Sequence, residues 1–258
     1  MTFDPHWLRP DWRADRVGAL MTTRHGGVSL PPFDSLNLHA TVGDDPQAVA
    51  HNQRRLAEAI GARPVYLNQV HGANVVRLTA ADLAPASLRH DADGAVTTEP
   101  GIACAVQTAD CLPVLFAAPG GRAVGAAHAG WRGLAAGVLE ATLAQVCEAA
   151  HCAPGEVQAW LGACIGPAQF EVGPDVLAAF GASPAANDWS RFVAKAAGKW
   201  LADLPALARD RLQAAGVRAI SGGQGCTVTE RSRFFSFRRD RITGRMAALV
   251  WIERGGVG

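Results

Sequence analysis

The 258-residue sequence predicts an α+β fold, one domain with mixed β-sheets flanked by helices. Two observations carry that reading. Strand-like segments outnumber helical ones and are not regularly interleaved with them, which disfavours a doubly wound sheet. No repeat, low-complexity tract or linker-like stretch divides the chain, and a protein of this size buries roughly 70–75% of its unfolded surface, enough for one large core. Residues 1–258 are read as a single domain, with residues 1–15 as an N-terminal extension.

The elements follow in chain order. Val17–Thr23 reads as a short buried strand, followed by the turn-rich segment Arg24–Leu38. Asp45 is placed to cap a helix whose first residue is Pro46, and apolar positions 49, 56, 57 and 60 carry it to Gly61. Val65–Val70 and Asn74–Leu78 are strand candidates on either side of His71 and Gly72. A dense β region comes next: Gly94–Thr98, Ile102–Thr108, Leu112–Phe116 and Ala123–His128. A helix starts just after Trp131-Arg132-Gly133 and runs through Leu134, Val138, Leu139, Leu143 and Val146. Val157–Leu161 is a strand leading into the Gly/Pro-rich turn Gly162–Pro167. Lys199–Ala215 reads as one amphipathic helix, and Arg245–Ile252 closes the fold as a strand.

Composition removes several function classes. With 24 basic and 23 acidic residues the net charge is +1, far from the basic face a nucleic-acid binder needs. No apolar run reaches the 18 residues of a membrane span, and residues 1–15 lack a signal-peptide core, so a cytoplasmic monomer is expected. Six cysteines without a Cys-x-x-Cys pair make no disulfide scaffold, and Cys104, Cys147 and Cys152 read as small buried hydrophobes.

Chemistry concentrates at three sharply positioned places. His71 lies between two strands in Asn68–Gly72, Cys111 at a strand junction in Gln107–Pro113, and His128 at a strand end in Ala126–Gly133. Two imidazoles and a thiolate can hold a tetrahedral zinc and leave a fourth position open, as catalytic sites do. The same trio also fits a Cys–His nucleophile pair. Spacings of 40 and 17 residues match no local metal motif, so the two readings stay open. Arg132 offers a guanidinium fork for phosphate or carboxylate at a helix start, where a plain strand-to-helix turn is the alternative, and Arg24, Arg54 and Arg55 are further anion-binding candidates, the last two equally a solvated helix face. The run Arg238-Arg239-Asp240-Arg241 reads as surface.

The segments NQVHG, TADCLPVLF, HAGWRGL, LGACIGP with FEVG, and FFSFRRDRITGRMAALVWI resemble the YfiH family, also described as laccase-domain or multicopper polyphenol oxidase-like proteins. The resemblance runs in order from Val17 to Ile252. It implies a fold related to cysteine-hydrolase-like toxins and a metal site of His71, Cys111 and His128, holding zinc or copper. It also implies phosphorolysis of adenosine, inosine, guanosine and methylthioadenosine, together with adenosine deamination. The alternative it carries is an amidase that removes L-serine from a UDP-muramyl nucleotide during cell-wall precursor editing. Expected roles are Cys111, His71, His128 and Asp110 in catalysis, Asp110 as a proton carrier or as support for a histidine. Arg132, Arg24, Arg55 and Gln69 are expected on the substrate, a nucleoside with phosphate. A copper-dependent polyphenol oxidase fits poorly, because the chain has eight histidines and no His-x-His pair for a three-copper cluster.

Overall fold

In the computed structural model, which describes residues 3–12, 14–84, 89–182, 191–196 and 198–254, the two longest strands are buried on both faces. Side chains alternate across a strand, and here both sets are apolar. Ile102, Cys104 and Val106 share one core layer with Met246, Ala248, Val250 and Ile252, while Ala103 and Ala105 share another with Ala247, Leu249 and Trp251.

The elements are β1 (Val17–Met21), α1 (Pro46–Ile60), β2 (Arg63–Tyr66), β3 (Val75–Arg77), β4 (Gly94–Thr97), β5 (Ile102–Thr108), β6 (Leu112–Ala117) and β7 (Val124–Ala129). They continue as α2 (Trp131–Ala136), α3 (Val138–Ala150), β8 (Gln158–Leu161), β9 (Glu171–Val172), α4 (Pro174–Ala179), β10 (Phe192–Ala196) and β11 (Lys199–Ala202). The last are α5 (Leu204–Ala214), β12 (Ala219–Gly222), α6 (Phe237–Asp240) and β13 (Met246–Ile252). One sheet has the order β1-β13-β5-β2, a second β12-β8-β6-β7-β4-β3, and a small third β10-β11-β9.

The layers stack as helix, sheet, sheet, helix. Leu56 and Ile60 of α1 cover the outer face of the first sheet. Its inner face meets Leu115, Val124 and Ala126 of the second. The far face of that sheet, with Val114, Phe116, Ala127 and Ala129, packs on Leu139, Leu143 and Val146 of α3 and Leu212 of α5. The mixed sheets and flanking helices are those of the predicted α+β class.

Local chemistry explains the boundaries. The Asp45 carboxylate accepts from the Gln47 N–H at 2.9 Å, and α1 ends at Gly61, whose φ of 64° is the left-handed conformation glycine tolerates. Four expectations need correction. The helix expected over Lys199–Ala215 is strand β11 followed by α5, because Trp200 and Leu201 pair with β9 and the Asp203 side chain caps a new helix at the Ala206 N–H. The helix expected after Gly133 starts at Trp131 and breaks at Gly137, where φ is 96°. The strand expected over Val65–Val70 spans Arg63–Tyr66, since pairing with β5 stops at Tyr66. Arg239 of the supposedly surface run is an internal clasp, its guanidinium donating to the carbonyls of Thr227, Val228 and Phe234 and pairing with Asp240.

Residues 3–12 are attached to the first sheet. Leu8 and Met21 exchange two backbone hydrogen bonds of 2.9 Å, and Trp7 is buried in the layer under α1. Among the described residues no helix is long and apolar enough to cross a membrane.

Phe116 is fully buried between the second sheet and α3. Phe116→Ala is expected to lower unfolding free energy by about 3–5 kcal/mol in a denaturant titration, the range for deleting a core aromatic ring.

Candidate metal centre

The second sheet assembles the centre from three distant stretches of chain. Antiparallel β6 and β7 place Pro113 opposite His128 and Leu112 opposite Ala129, so Cys111, just before β6, lies at the same sheet end as His128. β4 pairs with the other side of β7, which brings Asp93, just before β4, alongside. The His128 N–H donates to the Asp93 carbonyl at 2.7 Å. His71 comes from the turn between β2 and β3 and has a φ of 61°, uncommon for a non-glycine residue.

The Asp93 carboxylate holds that turn. Its oxygens accept from the N–H groups of Val70 at 3.1 Å, His71 at 3.0 Å and Gly72 at 2.7 Å, and from His128 Nδ1 at 2.8 Å. Burial works against its charge, but the His128 bond and the Gly72 and His71 amides keep its pKa below the usual carboxylate range. The arrangement settles the imidazole as well. With Nδ1 committed to Asp93, Nε2 is the nitrogen left for a ligand.

His71, Cys111 and His128 each place a ligand atom within 4.8 Å of the others. Cys111 Sγ lies 3.9 Å from His71 Nε2, near the about 3.5 Å edge of a tetrahedron with ordinary zinc–sulfur and zinc–nitrogen lengths. The two imidazole centroids are 4.8 Å apart at 76°. Exposure rises from buried His128 through half-buried Cys111 to exposed His71, so the fourth side opens outward. Two nitrogens and one sulfur in this arrangement form a metal-binding constellation of the open type.

Electrostatics prepare the thiol. Burial would raise its pKa, but His128, and then His71, bring it down to about 6. Burial would lower the His128 pKa, and the Cys111 and Asp93 charges instead raise it to about 9. In the absence of a metal each group thus favours the charged form of the other, and an ion taking the His128 Nε2 lone pair would displace the proton there. A Cβ on Gly130 would stand 3.0 Å from both Cys111 Sγ and His71 Cδ2, so a side chain there would have to push the thiol and the imidazole aside by a few tenths of an ångström.

His71 and Cys111 of the trio line a cavity of about 270 Å³ together with Asp110, Trp131, Arg132, Phe170, Arg238 and Arg241, among others, with His128 buried behind them. Of the substrate contacts expected from sequence, Arg132 is on this wall, over the Trp131 ring at 4.4 Å. Arg24 lines a different cavity and is paired with Asp34 at 3.0 Å; Arg55 is exposed on α1. Gln69 grips the backbone of Gln107, donating to its carbonyl at 2.9 Å and accepting from its N–H at 2.7 Å, which ties the His71 turn to β5. Asp110, at a φ of 96°, accepts from Thr227 Oγ1 and from the Arg238 N–H, both at 2.6 Å. The support for a histidine expected of Asp110 thus comes from Asp93, a residue sequence reasoning missed. Its signal was an acidic residue directly before Gly94, at the mouth of an otherwise apolar strand. Arg238 and Arg241 were also missed, although they stand in the family-like C-terminal motif.

A family model described as multi-copper polyphenol oxidoreductase laccase matches residues 18–253. A purine nucleoside phosphorylase of Pseudomonas aeruginosa is 52% identical over 96% of this chain and 98% of its own. The purine nucleoside phosphorylase YfiH of Escherichia coli is 50% identical over 96% of this chain and 97% of its own. A crystal structure of a Neisseria meningitidis protein superposes with a TM-score of 0.88 at 47% identity, covering 96% of this chain and all of that one.

Two outcomes are expected. Asp93→Asn should weaken metal binding about 10- to 100-fold in a chelator competition, the usual cost of losing a ligand's supporting partner. In metal-stripped protein, alkylation of Cys111 should be fast and flat above pH 7 and fall away below about pH 6, because the folded pKa is lowered and protonation removes the nucleophile. Cys104, buried and raised, should stay unreactive throughout, as peptide mapping would report.

Proposed function

The chain belongs to the multi-copper polyphenol oxidoreductase laccase family, and from that premise we propose that it is a metal-dependent purine nucleoside phosphorylase, releasing the base and ribose 1-phosphate. Adenosine deamination is proposed for the same cavity. One observation carries the reading beyond kinship: a three-donor centre opens on a small-molecule cavity with Arg132 on its wall. The cavity, about 270 Å³, lies just under the usual ~300–1,000 Å³ of small-molecule sites.

The two imidazoles and the thiolate would hold the ion, and their mixed nitrogen and sulfur character suits zinc, or copper in its place. Bound there, the metal supplies a Lewis-acid charge for an oxyanion or a water. The chain's own residues do the rest. Asp93 fixes the His128 ring and the His71 turn. Phosphate must be held beside the ribose C1′, for which Arg132 offers a planar two-pronged donor. Ile165, Leu204 and Phe170 give the cavity an apolar side that limits competing water. Asp110, with both oxygens bonded, holds the C-terminal segment against the Cys111 loop.

A laccase mechanism is not proposed. Among the described residues the trio is the one cluster with this donor set, and a three-copper centre requires histidine pairs the chain lacks.

The test is product analysis with metal-reconstituted protein and inosine or adenosine, with and without phosphate. Phosphate-dependent release of base with ribose 1-phosphate is expected. Cleavage of a UDP-muramyl-serine substrate with inert nucleosides would overturn the reading in favour of the amidase. Cys111→Ala should abolish turnover and lower metal content, while Cys104→Ala and Cys152→Ala should keep turnover near wild type. Arg132→Lys should raise the phosphate KM roughly tenfold, since lysine keeps the charge but loses the fork, with the nucleoside KM and Tm unchanged.

A further inference from the structure

Helix α6 divides an arginine run between two jobs. Arg239 turns inward, its side chain 9% exposed, and spends its donors on three carbonyls and Asp240. Arg238, within α6, and Arg241, which ends it at a φ of 64°, line the cavity beside the trio together with Arg132. None of these three has a salt bridge among the described residues.

Each of the three lies over an aromatic ring instead: Arg132 over Trp131 at 4.4 Å, Arg238 over Phe170 at 5.6 Å and Arg241 over Phe237 at 5.7 Å. A ring face orients a guanidinium through its π-electrons without occupying an N–H. Arg238 commits one donor, Nη1 to the Glu171 carbonyl at 3.2 Å. The remaining donors face a cavity whose carboxylate, Asp110, already accepts from Thr227 and the Arg238 backbone. Set against the Asp110 carboxylate and the Cys111 thiol on the same lining, three guanidinium groups still leave an excess of positive charge that an anion with several oxygens would take up.

We propose that Arg132, Arg238 and Arg241 form an oxyanion subsite beside the metal trio, built for a phosphate group that makes several charge-assisted hydrogen bonds at once. In the phosphorylase reading, on which this assignment to free phosphate rests, the occupant is inorganic phosphate. The same chemistry would hold a phosphate carried on the substrate.

Calorimetric titration of the metal-loaded protein separates the two sources. Inorganic phosphate, titrated with and without adenosine, is one probe; adenosine 5′-monophosphate is the other. Arg238→Met and Arg241→Met should each weaken inorganic phosphate binding about tenfold, as should the milder Arg238→Lys and Arg241→Lys to a lesser degree. Adenosine binding should stay at its wild-type value and Tm close to it, because the bond to Asp110 is a main-chain bond and the side chain's bond to the Glu171 carbonyl is an exposed one. Arginine dependence seen with the monophosphate alone would keep the subsite and overturn its assignment to free phosphate. Unchanged affinity for both probes in both methionine variants would overturn the subsite. Phosphate binding that depends on these arginines, without any nucleoside cleavage, would support the subsite and overturn the phosphorylase reading. Normal turnover with an unchanged phosphate KM in both variants would do the reverse.

Discussion

The Asp93 carboxylate has no solvent exposure and lies where two parts of the chain that carry ligands meet. A charge in that position is costly unless it is fully hydrogen-bonded. Three consecutive amides, Val70, His71 and Gly72, and the His128 ring supply those bonds. The demand runs both ways. The amides can converge on one carboxylate only if the chain turns sharply, and His71 adopts its positive φ to do so. Charged-group hydrogen bonds contribute about 1.5–3 kcal/mol each, so four of them outweigh the strain of one left-handed residue, about 1–3 kcal/mol. The position of His71, the tautomer of His128 and hence the direction of both ligand nitrogens follow from this one interaction.

A second buried carboxylate does comparable work on the other side of Cys111. Asp110 joins the loop before β6 to Thr227 and to the start of α6. The C-terminal segment is thereby drawn across the sheet end, and its arginines reach a cavity whose metal ligands were laid down more than a hundred residues earlier. Small residues make the convergence possible. A Cβ on Gly133 would stand 2.7 Å from the Gly72 carbonyl, so α2 can rest on the His71 turn only without one. Gly130 performs the same service between the thiol and the imidazole.

The electrostatic pattern is graded outward. Deepest are the Asp93 carboxylate and the His128 ring, then the Cys111 thiolate, then three guanidinium groups on the cavity wall. Negative charge inside favours a cation, and positive charge outside favours an anion next to it. This is the order of charges that a metal-assisted reaction of an oxyanion needs. The laccase description attached to the family does not follow from this centre, which offers a single trio of donors.

Strand periodicity, the caps of α1 and the trio itself were legible in the sequence, because each depends on short-range pattern or on residue types few enough to count. An isolated Asp45-Pro46 announces a helix start, and Cys111 at the junction of two largely apolar strands stands out as chemistry. The failures share a cause. Lys199–Ala202 has helical spacing but pairs with β9, a partner no local window contains. Arg24 and Arg55 have the right charge and lie elsewhere, while Asp93 shows only as an acid at the mouth of an apolar strand, and Arg238 and Arg241 sit in a run that reads as surface. Residue type tells what a side chain can do, but convergence of residues 71, 93, 111, 128 and 238 depends on strand order and on which buried charges must find partners. Those are properties of the packed sheet, and the chain acquires them only on folding.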